Sequence, residues 1–351
     1  MDSRNLIRVS LVATPEVDVS ALAGLQGVFN SFSHLVPGSV TFQARVVLPD
    51  AAWTEGESIN NVMGMPLPLQ CRLGEVTETE ILIIPSLYLL QPEWPNNPYP
   101  DLTRWILRMH DRGTLVCSAC TGAMLLAETG LLDGYEATQH WAFGTLFRRR
   151  FPRVKLNTDK VLLVTGESGR IVMSGASAAW HDLVVYLLTR YASPRSAQTI
   201  AKFFLLNVHS DGQAPYVIFQ GNREHDDRAV LDAQKWLQEH NTELHPVQQA
   251  QRASGLPART FNRRFRQATG LSPIHYLQQL RIERAKSLLE TTTLAVEGIG
   301  WQVGYADAAY FRRLFRRITG MAPARYRRKF QLRVPQPGLP GEVRQTSPGS
   351  G

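Results

Sequence analysis

Over residues 1–206, short runs dense in Val, Ile and Leu alternate with stretches whose apolar residues recur every three or four positions. The dense runs predict strands over 7–13, 41–48, 81–85, 114–117, 161–165 and 171–173. Several are apolar at both alternate sets of positions, the pattern of strands covered on both faces. The amphipathic stretches predict helices over 21–32, 101–112, 121–129 and 178–191. Strand and helix in alternation predict an α/β domain, a parallel sheet with helices on both faces. The run QPEWPNNPYP (91–100) suits neither helix nor central strand, and predicts a surface loop.

The pattern breaks at 207–226, which is polar and irregular with Gly and Pro, and is read as a linker. Beyond it the periodicity is helical throughout, beginning with Val230, Leu231, Gln234 and Leu237 in a helix over 227–240. The expected domains are therefore an α/β unit at 1–206, the linker at 207–226 and an all-α unit at 227–333. A Pro/Gly/Ser-rich tail at 334–351 is expected to be disordered.

Charge separates the two units. Residues 1–224 hold 18 basic and 20 acidic side chains, whereas 225–351 hold 20 basic and 10 acidic. Within the second unit, 252–330 alone carries 16 basic against 4 acidic residues, the electrostatic footprint of a polyanion partner. No run approaches the ~20 consecutive apolar residues of a membrane-spanning helix, and no apolar signal-peptide core precedes Val9. Three cysteines are too few for a disulfide framework, which fits a reducing cytoplasm. These features point away from a secreted, membrane-bound or fibrous protein.

The basic region repeats itself at an offset of 50 residues, with FNRRFRQATGLSPIHY (261–276) lying over FRRLFRRITGMAPARY (311–326). Each copy predicts a helix with inward phenylalanines at i and i+4, arginines opposite, a Gly stop and a Pro three residues later. A shorter helix ending in a Gly turn precedes each copy, at 247–253 before Gly255 and at 296–303 before Gly304. Helix, Gly turn and basic second helix are the parts of a helix-turn-helix. A long helix over 274–290 is able to hold the two units apart. Solvated structural hairpins are the alternative, and two matching copies weigh against it.

These residues, above all GYADAAYFRRLFRRITGMAPARYR, resemble the DNA-binding domain of AraC/XylS transcription regulators over about 229–330. The resemblance implies recognition helices over 258–269 and 308–319. It assigns base contacts to Arg259, Asn262 and Arg263 in the first, and to Ala309, Arg312 and Arg313 in the second. Arg can bond guanine bidentately and Asn can do the same with adenine. Arg266 and Arg316, one turn further on, are expected on phosphate. The first unit departs from the family pattern, with Pro257 where a hydroxyl N-cap usually stands and with Ala250 and Gln251 at more apolar core positions.

In the first unit, LVCSACTGAMLLAETGLLDGYEATQHW (115–141) runs from a strand through Cys120-Thr121-Gly122 into a helix, with His140-Trp141 twenty residues on. A Cys at a helix N-terminus is favoured as thiolate, and a nearby His would make a nucleophile–base pair. The stretch resembles the PfpI/ThiJ, class I glutamine-amidotransferase-like superfamily, and the whole chain resembles GlxA-type regulators that fuse that domain to an AraC-type one. A flavodoxin-like amidotransferase fold is thereby implied for 1–206. Departures argue against catalysis. Ala21 stands where enzymatic relatives have an acid, although Glu16 and Asp18 are close, and Ser86-Leu87 replaces the Gly-Gly pair that commonly supplies an oxyanion amide. Cys117 and Cys120 form a C-x-x-C that can be redox-active, although Cys117 is expected to point into the sheet. The nine histidines show no metal-ligand spacing, and no cofactor is implied.

The expected function is a cytoplasmic, nucleoid-associated regulator, an activator of a catabolic or transport operon. Promoter DNA, RNA polymerase and a second copy of the chain are the expected partners. The effector is expected to be an amino acid, betaine or other nitrogenous metabolite, contacted by Cys120, Thr121, His140 and Trp141. A cysteine hydrolase or isonitrile-hydratase-like enzyme tethered to DNA is the alternative.

Overall fold

The computed structural model of the protein describes residues 5–52, 58–68, 70–90 and 93–332, so the tail expected at 334–351 lies outside the described residues. The chain divides into two compact units, Met1–Val217 and Ile218–Gly351.

The first unit contains β1 (Leu6–Val12), α1 (Val19–Leu35), β2 (Thr41–Leu48), β3 (Ser58–Asn60), β4 (Pro66–Pro68), β5 (Cys71–Arg72) and β6 (Ile81–Ile84). There follow α2 (Pro100–Asp111), β7 (Leu115–Ala119), α3 (Gly122–Ala127), β8 (Glu136–Ala137), α4 (Gly144–Arg150), β9 (Lys155–Leu156), β10 (Leu162–Thr165) and β11 (Ile171–Ser174). α5 (Trp180–Tyr191) and α6 (Pro194–Phe203) complete it. The main sheet has the order β10-β11-β7-β6-β1-β2-β5. Every residue of β6, β7 and β11 is buried, so both faces of the central sheet are covered.

Every pairing in that sheet is parallel except β10 with β11. Only five residues (166–170) join those two strands. That length suits an antiparallel hairpin, whereas a parallel crossover needs a dozen or more residues. The sheet is therefore mixed at one edge rather than wholly parallel.

The second unit contains α7 (Arg228–Glu239), α8 (Pro246–Ala253), α9 (Ala258–Thr269), α10 (Pro273–Thr291), α11 (Val296–Gln302), α12 (Ala308–Thr319) and α13 (Pro323–Phe330). It has two cores. Val230, Leu237, Ala250, Phe261, Phe265 and Tyr276 form the first, and Ile282, Leu289, Ile299, Phe311, Phe315 and Tyr326 the second. α10 belongs to both: its first turns enter one core and its later turns the other. Ala250, small for its position, is nonetheless fully buried.

The stretch 207–226, expected as a linker, is divided between the units. On the first side, His209 donates its amide to Asp182 at 2.8 Å and sets Nδ1 2.7 Å from the same carboxylate. Gln213 is 1% exposed. On the second side, Phe219 meets Tyr276 edge-on at 5.1 Å and Asn222 donates to the Ala268 carbonyl. Buried polar anchors, invisible to a composition count, hold this polar segment down.

Candidate functional site

The repeat becomes two constructions with the same local bonds and ring contacts. α9 and α12 end at Gly270 and Gly320, both left-handed with φ of 78° and 75°. A side chain is strained there, which is why Gly closes each helix. In each copy a threonine hydroxyl (Thr269, Thr319) donates to the carbonyl four residues back and accepts the amide two residues on. Pro273 and Pro323 then open α10 and α13, where a missing N–H costs nothing. Tyr276 and Tyr326 stand edge-on to Phe265 and Phe315, at 5.3 and 5.4 Å.

The copies differ at their starts. Asp307 caps α12 by accepting from Ala309 and Tyr310, at 2.7 and 3.1 Å. Pro257 gives α9 no side-chain cap. The turn before each second helix passes through a left-handed glycine, Gly255 or Gly304.

Arg259, Asn262, Arg263 and Arg266 on α9, and Ala309, Arg312, Arg313 and Arg316 on α12, are all exposed. Five of these arginines (259, 263, 266, 313 and 316) hold no ion pair or hydrogen bond among the described residues. Arg312 does: it pairs with Glu297 on α11. Asn262 donates back to the Ala258 carbonyl at 3.0 Å.

Two arginines of the basic run turn toward the protein instead. Arg264 grips Asp227 with Nε and Nη2 at 2.8 and 2.6 Å, which holds the Asp227 carboxyl below its usual range. Its repeat partner is the buried Leu314. Arg317 donates to Gln278 on α10. Sequence reading passed over Arg281, which joins the two halves. It donates to the carbonyls of Asn241, Glu243 and Gly304 and lies 5.1 Å over the Tyr305 ring. No spacing rule would have singled it out, because its partners are backbone atoms far apart in the chain.

In the first unit, Cys120 follows β7 with φ of +53°, a left-handed backbone that costs a residue with a side chain about 1–3 kcal/mol. Gly122 follows at once because a Cβ there would lie 2.4 Å from the Pro85 carbonyl oxygen. Cys120 is 2% exposed. Its Sγ lies 3.5 Å from the Ser177 hydroxyl, and burial pushes its thiol up from the ordinary value despite the hydroxyls around it. The short helix α3, only six residues long, does not outweigh that desolvation. The thiolate expected from the strand-to-helix turn is thus not favoured. Cys117 is fully buried, and burial pushes its thiol up as well.

Thr121 donates to the Leu87 carbonyl at 2.6 Å and accepts the Leu87 amide at 2.8 Å. His140 takes the Ala142 amide on Nδ1 at 3.1 Å, which leaves Nε2 as the protonated nitrogen of the neutral ring. Burial lowers its pKa. No hydrogen bond joins Cys120 to His140 among the described residues. Of the nearby acids, Asp18 caps α1 through Ser20, and Glu16 accepts from the Tyr99 hydroxyl at 2.8 and 3.0 Å.

A cavity of about 230 Å³ is lined by Glu16, Tyr88, Trp94, Tyr99 and Leu146 among others, and Cys120, Thr121, His140 and Trp141, the expected effector contacts, are not among its lining residues. It lies where the chain after β1 and the chain after β6 part to opposite sides of the sheet. Two backbone bonds stitch that crevice, Asp18 to Ser86 at 2.8 Å and Tyr88 to Glu16 at 2.7 Å. Sequence reading missed the cavity because the Pro-rich run 91–100 reads only as loop, while Trp94 and Tyr99 face inward from it.

Residues 251–329 match the family model of a helix-turn-helix domain. The HTH-type transcriptional regulator CdhR of Pseudomonas aeruginosa is 27% identical over 244 residues, 69% of this chain and 71% of its own. ArgR of the same organism, likewise an HTH-type transcriptional regulator, is 27% identical over 64% of this chain and 68% of its own. The HTH-type transcriptional regulator GlxA of Rhizobium meliloti is 23% identical over 58% of this chain and 62% of its own. No helix among the described residues is long and apolar enough to cross a membrane.

Proposed function

Since the chain is a DNA-binding transcription regulator with an AraC-type helix-turn-helix domain, we propose that it is a ligand-responsive activator whose two recognition helices read one promoter site. The observation that carries this reading is the duplicated array of exposed arginines on α9 and α12, each backed by the same Phe–Phe–Tyr core. Two such helices in one chain should enter successive major grooves, about 34 Å apart. Selection from a random duplex library, followed by footprinting, should return an asymmetric site of two short blocks one helical turn apart. A palindromic site read by one block per protomer would overturn the assignment. In this reading the regulator acts as a homodimer in the cytoplasm, on the nucleoid, and contacts RNA polymerase. Sedimentation and transcription in vitro test those steps.

The first unit is read as a sensor of a nitrogenous metabolite rather than as a hydrolase or hydratase. A cysteine enzyme needs an accessible thiolate and free oxyanion donors. Here burial favours the thiol, and Thr121 occupies the Leu87 amide. Because the Cys120 pKa is raised, its thiolate fraction stays small at neutral pH and grows only above the ordinary thiol range. Alkylation of native protein by iodoacetamide at pH 7 should therefore be far slower at Cys120 than in unfolded protein, as peptide mass spectrometry would record. Rapid labelling at pH 7, or turnover of an amide or isonitrile that vanishes in Cys120→Ala, would install the enzyme reading.

Gln213 offers a route from the sensor toward the chain's exit. Its Nε2 donates to the Gln139 and Lys160 carbonyls, both at 2.9 Å, and its Oε1 accepts the Trp141 amide at 3.3 Å. A Cβ on Gly175 would strike that amide group at 2.1 Å. The exit segment is thus keyed into the loop that carries His140 and Trp141. Gln213→Ala removes this partner from the Gln139 carbonyl and the Trp141 amide, while the Lys160 carbonyl keeps the Thr138 hydroxyl, and should destabilise the first unit by about 1–3 kcal/mol. Proteolysis within 207–217 should rise in parallel. Unchanged stability and cleavage would show that the segment is held elsewhere.

A further inference from the structure

We propose that Arg281, with Gln278 three residues before it, is a positioning residue that sets the spacing of the DNA site. It ties the α7–α8 connection to the turn before α12, and so fixes the distance and angle at which the two recognition helices meet the duplex. This inference rests on the two-groove reading. Apolar packing alone does not fix that angle. The two cores of the helical unit share the helix α10 but no side chain. Leu277 and Leu280 pack with the first core and Ile282 and Ala285 with the second, so the seam crosses α10 at Arg281. A long helix curves with its surroundings, and ties across the seam then decide how the halves stand.

Arg281 reaches both sides of that seam. Toward the first half, Nε donates to the Asn241 carbonyl at 2.6 Å and Nη2 to the Glu243 carbonyl at 3.3 Å. Toward the second, Nη1 donates to the Gly304 carbonyl at 3.0 Å, and the guanidinium lies over the Tyr305 ring. Tyr305 is buried and stacks on Phe311 of α12 at 5.9 Å, so one ring carries the tie to the recognition helix. Among the described residues no carboxylate pairs with Arg281. A planar fork of five donors can hold separate carbonyls at fixed angles, which a compact ammonium does not.

The turn glycines separate this contact from ordinary helix-turn-helix geometry. Gly255 and Gly304 are both left-handed. A Cβ on Gly255 would meet nothing within 4 Å, whereas one on Gly304 would lie 2.8 Å from the guanidinium carbon of Arg281. Only the second turn is therefore roofed by an arginine. The 50-residue offset sets Gln331 against Arg281, so the clamp belongs to the join between the copies and not to each copy. Gln278 adds a second tie from α10 to α12. It donates to the Tyr310 hydroxyl at 3.0 Å and accepts from Arg317 at 3.2 Å.

Each base pair added between the blocks moves the second block about 3.4 Å along the duplex and about a tenth of a turn around it. A clamp that holds α12 at one angle to α9 rejects both changes. The test is the affinity of the full chain, by fluorescence anisotropy, for the selected site and for that site with one base pair inserted or removed between its blocks. The wild-type chain should prefer the selected spacing by about tenfold or more. Arg281→Met removes the fork and should reduce the preference to about threefold or less. Arg281→Lys keeps the charge without the fork and should do the same. A merely structural role would weaken all three sites alike and leave their ratio unchanged. Circular dichroism establishes that each variant is folded, and should both Arg281 variants fail to fold, Gln278→Ala decides by the same ratio. A wild-type ratio in a folded Arg281 variant, or a wild-type chain indifferent to spacing, would overturn the assignment. If selection returns no two-block site, the two-groove reading itself fails. If it returns one and the variants keep the wild-type ratio, that reading stands and Arg281 does not set the spacing.

Discussion

Arg313→Ala is expected to weaken binding to the selected site by about 1–3 kcal/mol and to relax preference at the base pairs read by α12. The side chain is exposed on the helix face opposite Phe311 and Phe315 and holds no partner among the described residues, so its removal leaves the protein intact. Arg316, one turn on, is assigned to phosphate. Arg316→Ala should weaken every sequence alike and lower the salt slope by about one counterion's worth. Arg263→Ala should relax the other block, and by less, because α9 lacks the Asp307-type cap that anchors α12. Arg312 is the informative contrast. It is already paired with Glu297, so any base contact must first break that pair, and Arg312→Ala should cost less than Arg313→Ala. Affinities measured across a randomised site at two salt concentrations separate all four outcomes. If Arg313→Ala and Arg263→Ala alter the same base pairs, or neither alters any, the two-groove assignment is wrong.

Phe315→Ala should destabilise the second half of the helical unit by about 3–5 kcal/mol. Phe315 is fully buried and meets Tyr326 edge-on at 5.4 Å and Phe311 at 5.9 Å. Removing the ring leaves a cavity among Ile282, Leu289 and Ile299. Because a domain is stable by only about 5–15 kcal/mol, the loss should be visible as a lowered urea midpoint for this unit. Protection of the DNA block read by α12 should disappear, while that of the α9 block persists in part through the separate first core. A loss below about 1 kcal/mol would mean that the two cores do not stand on their phenylalanines.

β6 was legible to within a residue because burial on both faces leaves a continuous apolar run, and β2 because its first half alternates buried and less buried positions before an apolar end. The two basic helices were legible from the 50-residue repeat, the Gly stops and the Pro restarts, which are local signals, and the bounds that the family resemblance implied, 258–269 and 308–319, agree with α9 and α12. Short edge pieces such as β5 and the two-residue β8 and β9 carry no periodicity and went unread. So did α6, which has a moderate apolar face and follows directly on α5.

Sequence alone thus determined the two-part architecture, the repeated basic helices and the placement of charge in the second half, since each is written in residues near one another in the chain. Tertiary structure alone decided which arginines stay free. Arg264 and Arg317 look like their neighbours in sequence, yet Asp227, at the start of α7, and Gln278, on α10, claim them. It also decided the state of the first unit's site. Cys120 sits at a turn that predicts a thiolate, but the environment that sets its protonation comes from Ser177, Ser86 and the sheet around it. Glu16, Trp94 and Tyr99 are as much as 83 positions apart, and only the crossing of the loops after β1 and β6 brings them into one cavity. The physical reason is the same in each case: local pattern specifies backbone conformation, while desolvation and pairing depend on groups that folding delivers from distant parts of the chain.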